Sequence, residues 1–147
     1  MDELPDTGTE GVRTFTVRSA HTTTVFGEQT NPPGRAAATD ADPSETRKVV
    51  GSAQILARFE FLARESVRGQ LPPGTGLVGE QGTVTHRRPA SVGTELRVET
   101  TLTTATDATL VFDGRATNPA DAVVGKGTVR TRVVDRERFC GQVDDSV

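Results

Sequence analysis

The strongest periodic signal in the chain is the segment SAQILARFEFLARESVRGQL, residues 52–71, where apolar positions recur with the spacing of a helix. At about 100° per residue, Ser52, Ile55, Leu56, Phe59, Leu62, Ala63, Ser66 and Val67 share one broad face, and Arg58, Arg64, Glu65 and Arg68 fall outside it. Gly69 is the expected stop, and the following LPPGTG forbids continuation. Glu60 lies on the flank of the apolar stripe, beside Ala53 and Val67, while Phe61 points almost opposite to it.

After this helix the period changes to two. GLVGEQGTVTHRR, TELRVETTLTTAT, ATLVFDGRAT and AVVGKGTVRTRVV read as four successive strands joined by short turns, and they predict an antiparallel meander. A partly alternating strand, VRTFTVRSA, precedes the helix from Val12. One long helix with an apolar face and a meander to cover it predict an α+β layer in which a curved sheet wraps the helix. Residues 1–11 are expected to be a frayed tail, 12–139 a single domain, and 140–147 a C-terminal tail. The text from Gly27 to Thr46 carries no periodic element, and residues 27–47 are read as a flap or loop over the domain.

Composition adds an expectation about assembly. Of 147 residues only 33% are hydrophobic and 4% aromatic, with no Trp or Tyr, so a lone chain has a modest core and self-association is expected. A net charge of −3 argues against nucleic acid as a partner. Basic positions are 15 Arg against 2 Lys, Lys48 and Lys126, a bias that by itself assigns no role. Cys140 stands alone, which excludes an intrachain disulfide and a cysteine-built zinc site and fits a reducing compartment. The opening MDELPDTGTEGV lacks the apolar stretch of a secretion signal, and no run is long enough to span a bilayer. The expectation is a soluble cytoplasmic protein without membrane partners or a metal.

Five positions carry candidate chemistry. Glu60, at the margin of a buried helix face, is partly stripped of water and suited to act as base or nucleophile; the bland alternative is an ion pair with Arg64 at i+4. His86 ends a strand, where an imidazole serves as acid, base or hydrogen-bond donor, or merely sits half exposed. Arg87 and Arg88 follow it, facing opposite ways on a strand, so at most one serves a given site and plain solvation is the alternative. Ser52 follows Gly51 as the expected N-cap, at a helix start whose free N–H groups can polarise a carbonyl. Eight residues of helix separate Ser52 from Glu60, roughly 12 Å of rise, so a substrate or another element has to lie between them. Gly79, Gly82, Gly125 and Gly127 inside strand-like runs imply bulges or close approach, and they form no dinucleotide fingerprint.

The order of strand, flap, helix, LPPGTGLVGEQGTVTHRRPASVGTEL and VVGKGTVRTRVVDRERF resembles the fluoroacetyl-CoA thioesterase-like branch of the hot-dog-fold thioesterases, over roughly Val12 to Phe139. The resemblance rests on a hydroxyl residue at the helix start, Ser52, a Glu eight residues on that precedes an aromatic, Glu60–Phe61, then Gly79, and His86 seven residues later, followed by Pro89 and Gly93. It implies a hot-dog fold, an acyl-CoA thioesterase acting on a small or medium acyl group, Ser52, Glu60 and His86 as the catalytic set, and Gly79 near the thioester oxygen. Phe61 would line the acyl pocket or meet a partner. It further implies a homodimer or tetramer with sites between subunits, and no cofactor beyond the coenzyme A of the substrate. Ser52 stands where the best-known member has Thr. That member's selectivity for a fluorinated acyl group is associated with flap aromatics, and residues 27–47 contain no Phe, Tyr or Trp, so fluoroacetyl-CoA is not the expected substrate. The alternative reading is a non-catalytic acyl-CoA or small-ligand binding protein on the same fold. An enoyl-CoA hydratase is disfavoured, because no Asp–His pair occurs close together around His21 or His86.

Overall fold

The computed structural model describes residues 3–26 and 42–146; most of the expected flap, residues 27–41, lies outside them. The elements are β1 (Glu10–Thr16), β2 (Thr22–Val25), β3 (Arg47–Val50), α1 (Ser52–Ser66), β4 (Thr75–His86), β5 (Glu95–Thr106), β6 (Thr109–Thr117), β7 (Val123–Asp135) and α2 (Arg136–Asp144). β1, β5, β6, β7 and β4 form one antiparallel sheet in that order, and β2 pairs with β3 in a small ribbon. This is the expected α+β arrangement, with one long helix packed against an antiparallel sheet.

The helix face read from the period is the face that packs. Ile55, Phe59, Leu62 and Ala63 are buried along α1, and Val67 just beyond it. The N-terminal half of the helix meets Val17, Val50, Leu96, Val98, Val124 and Val129, and the C-terminal half meets Leu77, Leu102, Leu110, Phe112 and Val133. Helix and sheet lie unusually close at one point: a Cβ on Gly114 of β6 would stand 2.5 Å from Cγ of Phe59. The ring therefore rests directly on bare backbone, and the central strands can curve around the helix.

Four expectations are corrected. The meander is only β5–β6–β7; β4 pairs with β7 from Thr75↔Asp135 to His86↔Gly125, not with β5, so residues 87–94 form a crossover instead of a hairpin turn. This crossover is tied down on its way across the end of the sheet, by Val50 N donating to Ala90 O and Gly93 N to Val17 O. The helix ends at Ser66 and not at Leu71, because Val67 leaves helical ψ and Gly69 adopts φ +82° before Pro72 and Pro73. The strand expected from Val12 begins at Glu10, inside the segment read as a tail, and Arg136–Asp144 is helical, capped by the Asp135 carboxylate accepting from Arg138 N. β2 and β3 were not anticipated; they are four residues each, too short for an alternation to register. Among the described residues no helix is long and apolar enough to cross a membrane.

The flank of α1 that faces β1 is closed by a polar cluster. His21 Nδ1 accepts from Arg18 N at 3.0 Å, His21 Nε2 lies 3.0 Å from Nη2 of Arg58, and the Arg58 guanidinium sits 4.6 Å over the Phe15 ring. Burial, and then the charges of Arg58 and Arg18, hold the His21 pKa below its ordinary value. The unfolded chain, titrating near the ordinary value of about 6.5, therefore binds a proton that the folded chain refuses. The contribution is present above that value and is lost as pH falls through the folded pKa.

Two predictions follow from the packing. Gly114→Ala, which forces a methyl into the Phe59 ring, lowers unfolding free energy by about 1–3 kcal/mol in denaturant titration. His21→Asn flattens the fall in melting temperature between pH 7 and pH 5 relative to the parent; parallel curves would show that His21 carries no such linkage.

Candidate active site

The start of α1 differs from the sequence expectation in a way that frees a side chain. Gly51, at φ −76° and ψ 145°, is the N-cap, and its N–H is taken by His21 O. Ser52 is then the first helical residue, and its hydroxyl does not cap; Ser52 Oγ lies 2.9 Å from Nδ1 of His86 at the end of β4. The other ring nitrogen, His86 Nε2, is buried without a hydrogen-bond partner among the described residues. The position of His86 is fixed by its pairing with Gly125 and by Arg87 N and Arg88 N, both of which donate to Val124 O. Arg88 adds a bond from Nη1 to Val123 O at 2.8 Å, so this arginine ties the crossover to β7.

Glu60 is held by two neighbours. Arg64 donates from Nη2 to Glu60 Oε1 at 2.7 Å, the i,i+4 pair foreseen as the bland alternative. The carboxylate also lies flat against Gly79 of β4, where a Cβ would stand 2.7 Å from Oε1 and 3.0 Å from Oε2. Any side chain at residue 79 would displace it. The ion pair therefore does not remove Glu60 from chemistry; it anchors the carboxylate over a strand whose backbone is uncovered. The Glu60 side chain keeps 33% of its exposure, so the groove is open to a ligand.

Ser52, Leu56, Glu60 and Arg64 form one i,i+4 row along the flank of α1 that faces β4. Opposite them stand His86, Gly82 and Gly79: Ser52 meets His86, Leu56 lies on Gly82 with Cδ1 2.8 Å from a would-be Cβ, and Glu60 lies on Gly79. The structure thus brings together Ser52 with His86 and Glu60 with Gly79, and Leu56 separates the two pairs. Among the described residues no hydrogen bond joins Glu60 to Ser52 or His86.

A bulge makes this row possible. Gly79 and His86 are seven residues apart, an odd separation that places side chains on opposite faces of a regular strand. In β4 the register shifts between Gly79↔Thr131 and Gln81↔Arg130, leaving Glu80 as the extra residue. Leu77 and Gly79 before the shift, and Gly82, Val84 and His86 after it, consequently all turn toward α1. Glu80 is held outside by Arg130 and Arg132, each 3.1 Å from one of its oxygens.

Phe61 is 55% exposed on the solvent side of α1, with the Arg64 guanidinium 5.8 Å from its ring centre. Arg64 is the site neighbour whose part the sequence left open; its i+4 spacing was the only signal. Among the described residues no group of three or more His, Cys, Asp or Glu side chains could hold a metal.

Comparison with known proteins bears on the family and the fold. The family model described as fluoroacetyl-CoA-specific thioesterase matches residues 34–137. No curated protein sequence matches the chain. Among solved structures, a mutant of the fluoroacetyl-CoA-specific thioesterase superposes with a TM-score of 0.77 at 18% identity, covering 99% of this chain and 100% of the other. A Thermus thermophilus hypothetical protein of the thioesterase superfamily gives 0.78 at 16% identity, covering 99% and 94%. A hot-dog-like protein from Thermanaerovibrio acidaminovorans gives 0.75 at 20%, covering 97% and 92%. At these identities the structural likeness establishes the fold, a hot dog.

Proposed function

The chain belongs to the fluoroacetyl-CoA-specific thioesterase family, whose model spans residues 34–137, and on that premise we propose that it hydrolyses a small or medium acyl-CoA thioester with Ser52, Glu60 and His86. The observation that carries this reading is the single row on α1 that sets the Ser52–His86 pair, 2.9 Å apart, and the Glu60–Gly79 pair along one groove. A thioester carbonyl lying over Leu56 would reach both pairs.

In this arrangement Glu60 acts as nucleophile or as the base for water. Arg64 holds Oε1, which leaves Oε2 to attack or to take a proton. Attack on the carbonyl carbon breaks the carbon–sulfur bond; the electron pair leaves on the coenzyme A sulfur, and His86 supplies its proton. If Glu60 attacks directly, a mixed anhydride forms and water opens it to the free acid. Ser52, hydrogen-bonded to His86, orients the ring or the carbonyl. The N–H of Gly79 would stabilise the developing oxyanion. The absence of aromatic residues from positions 27–47 favours an acyl group other than fluoroacetyl.

Self-association as a homodimer is part of the same reading. Its support is β4, a 12-residue strand at the edge of the sheet, whose outward backbone groups have no strand partner among the described residues. Pairing with the β4 of a second copy would cover that edge and close the groove beside Glu60 from the open side.

The test is thiol release from a panel of short, branched, aromatic and long acyl-CoAs. Glu60→Gln and His86→Ala are each expected to lower kcat/KM more than about tenfold, roughly 1.4 kcal/mol or more of barrier stabilisation. Near-normal turnover in either variant would refute the assignment, and tight acyl-CoA binding without thiol release would turn the reading to a binding protein. For assembly, sedimentation velocity is expected to give twice the 15.6 kDa chain mass; a species of one chain at every concentration would remove the dimer.

A further inference from the structure

Beyond the row that holds Glu60, the same flank of α1 opens into a cavity of about 610 Å³ at the helix C-terminus. Its apolar wall is made by Phe61, Leu71, Pro72 and Leu77, and three guanidinium groups border it, from Arg64, Arg68 and Arg136. Their charges are not equally available. Arg64 is neutralised by Glu60, and the one acidic residue on the rim, Glu65, is engaged by Arg13 at 2.7 Å. Arg68 and Arg136 form no ion pair among the described residues, so the cavity carries two uncompensated positive charges beside an exposed aromatic ring. Arg136 is not a loose surface arginine: its Cγ lies against Gly76, 3.3 Å from where a Cβ would be, and its backbone N–H donates to Gly74 O at 3.0 Å. The arginine stem is therefore fixed on the strand that also carries Gly79.

An aromatic face, an apolar wall and two free guanidinium groups match a purine nucleotide bearing more than one phosphate. Arg68, two residues past the end of α1, borders the same cavity as Arg64, the partner of Glu60, so a pantetheine arm has to run only from that cavity along the flank of the helix to reach the carboxylate. We propose that this cavity holds the 3′-phosphoadenosine diphosphate end of coenzyme A, with Arg68 and Arg136 on its phosphates and Phe61 against its adenine. The proposal rests on the acyl-CoA reading above and adds the direction of the substrate: the nucleotide lies toward the C-terminus of α1 and the scissile carbonyl toward its N-terminus.

The test compares two thioesters of one acyl group, on coenzyme A and on pantetheine, which lacks the nucleotide. In Arg68→Ala/Arg136→Ala the ratio of kcat/KM for the coenzyme A thioester to that for the pantetheine thioester is expected to fall more than about tenfold. Calorimetric titration of the full chain with adenosine 3′,5′-bisphosphate should show salt-dependent binding that the double variant loses. An unchanged ratio, or nucleotide binding equal in parent and variant, would overturn the proposal. So would an effect confined to acyl groups that carry their own carboxylate, since that would place the acyl end in the cavity. If the parent hydrolyses neither thioester, the catalytic reading fails separately and the nucleotide titration alone decides the cavity.

Discussion

The close seat of α1 on the sheet is the constraint from which the rest of the structure follows. A helix carrying Phe59, Leu56 and Glu60 on its inner and flanking faces can approach the strands only where they present no side chain. Gly114 receives the Phe59 ring, Gly82 receives Leu56, and Gly79 receives the Glu60 carboxylate. Each contact costs the strand some conformational entropy and local packing. What is gained is depth: Ile55, Phe59, Leu62 and Ala63 are buried, and a carboxylate is brought down against the bare backbone of Gly79. Filling one of these positions would lift the helix, and the groove would lose its shape along with the core.

The candidate chemistry is thus a by-product of packing geometry and not an addition to it. An i,i+4 row on a helix is straight over this length, and an edge strand beside it offers amides that the sheet leaves unused. Ser52 avoids capping because Gly51 already occupies the N-cap, so its hydroxyl is available to His86. Arg64 spends its charge on Glu60 and, in doing so, fixes which carboxylate oxygen remains accessible. Candidate catalytic, structural and charge-balancing groups are distributed along one flank, while the opposite flank carries the cluster of His21, Arg58 and Phe15.

Much of this was legible in the sequence, and what was not has definite physical reasons. The helix face from Ile55 to Val67 could be read because burial on one side leaves a 3.6-residue imprint, and the long strands because burial of one sheet face leaves a two-residue imprint. Strand partners leave no such imprint: β4 shows the same alternation whether it neighbours β5 or β7, so the meander was extended one strand too far. Ser52 was taken for the cap because a hydroxyl beside a glycine is the commoner capping residue, and only backbone geometry shows that Gly51 does it. The i+4 pairing of Glu60 with Arg64 was foreseen as a rival to function, yet the two coexist, since an ion pair uses one oxygen of two. Gly79 and His86 were noted by separation alone, and the parity of that separation passed unremarked.

That parity makes β4 sensitive to length more than to identity. Because Glu80 is an uncounted residue in the ladder, the segment from Gly79 to His86 works as a ruler with one skipped mark. Exchanging residues on its outer side alters charge and little else. Adding a residue between the two while the bulge persists would turn the imidazole out to the far face, away from Ser52, and leave every strand and nearly every ladder bond able to form, whereas removing Glu80 would leave an even separation that a regular strand keeps on one face. The fold would survive such an insertion and the site would not, so in this chain the distance between two residues is as much a functional group as either of them.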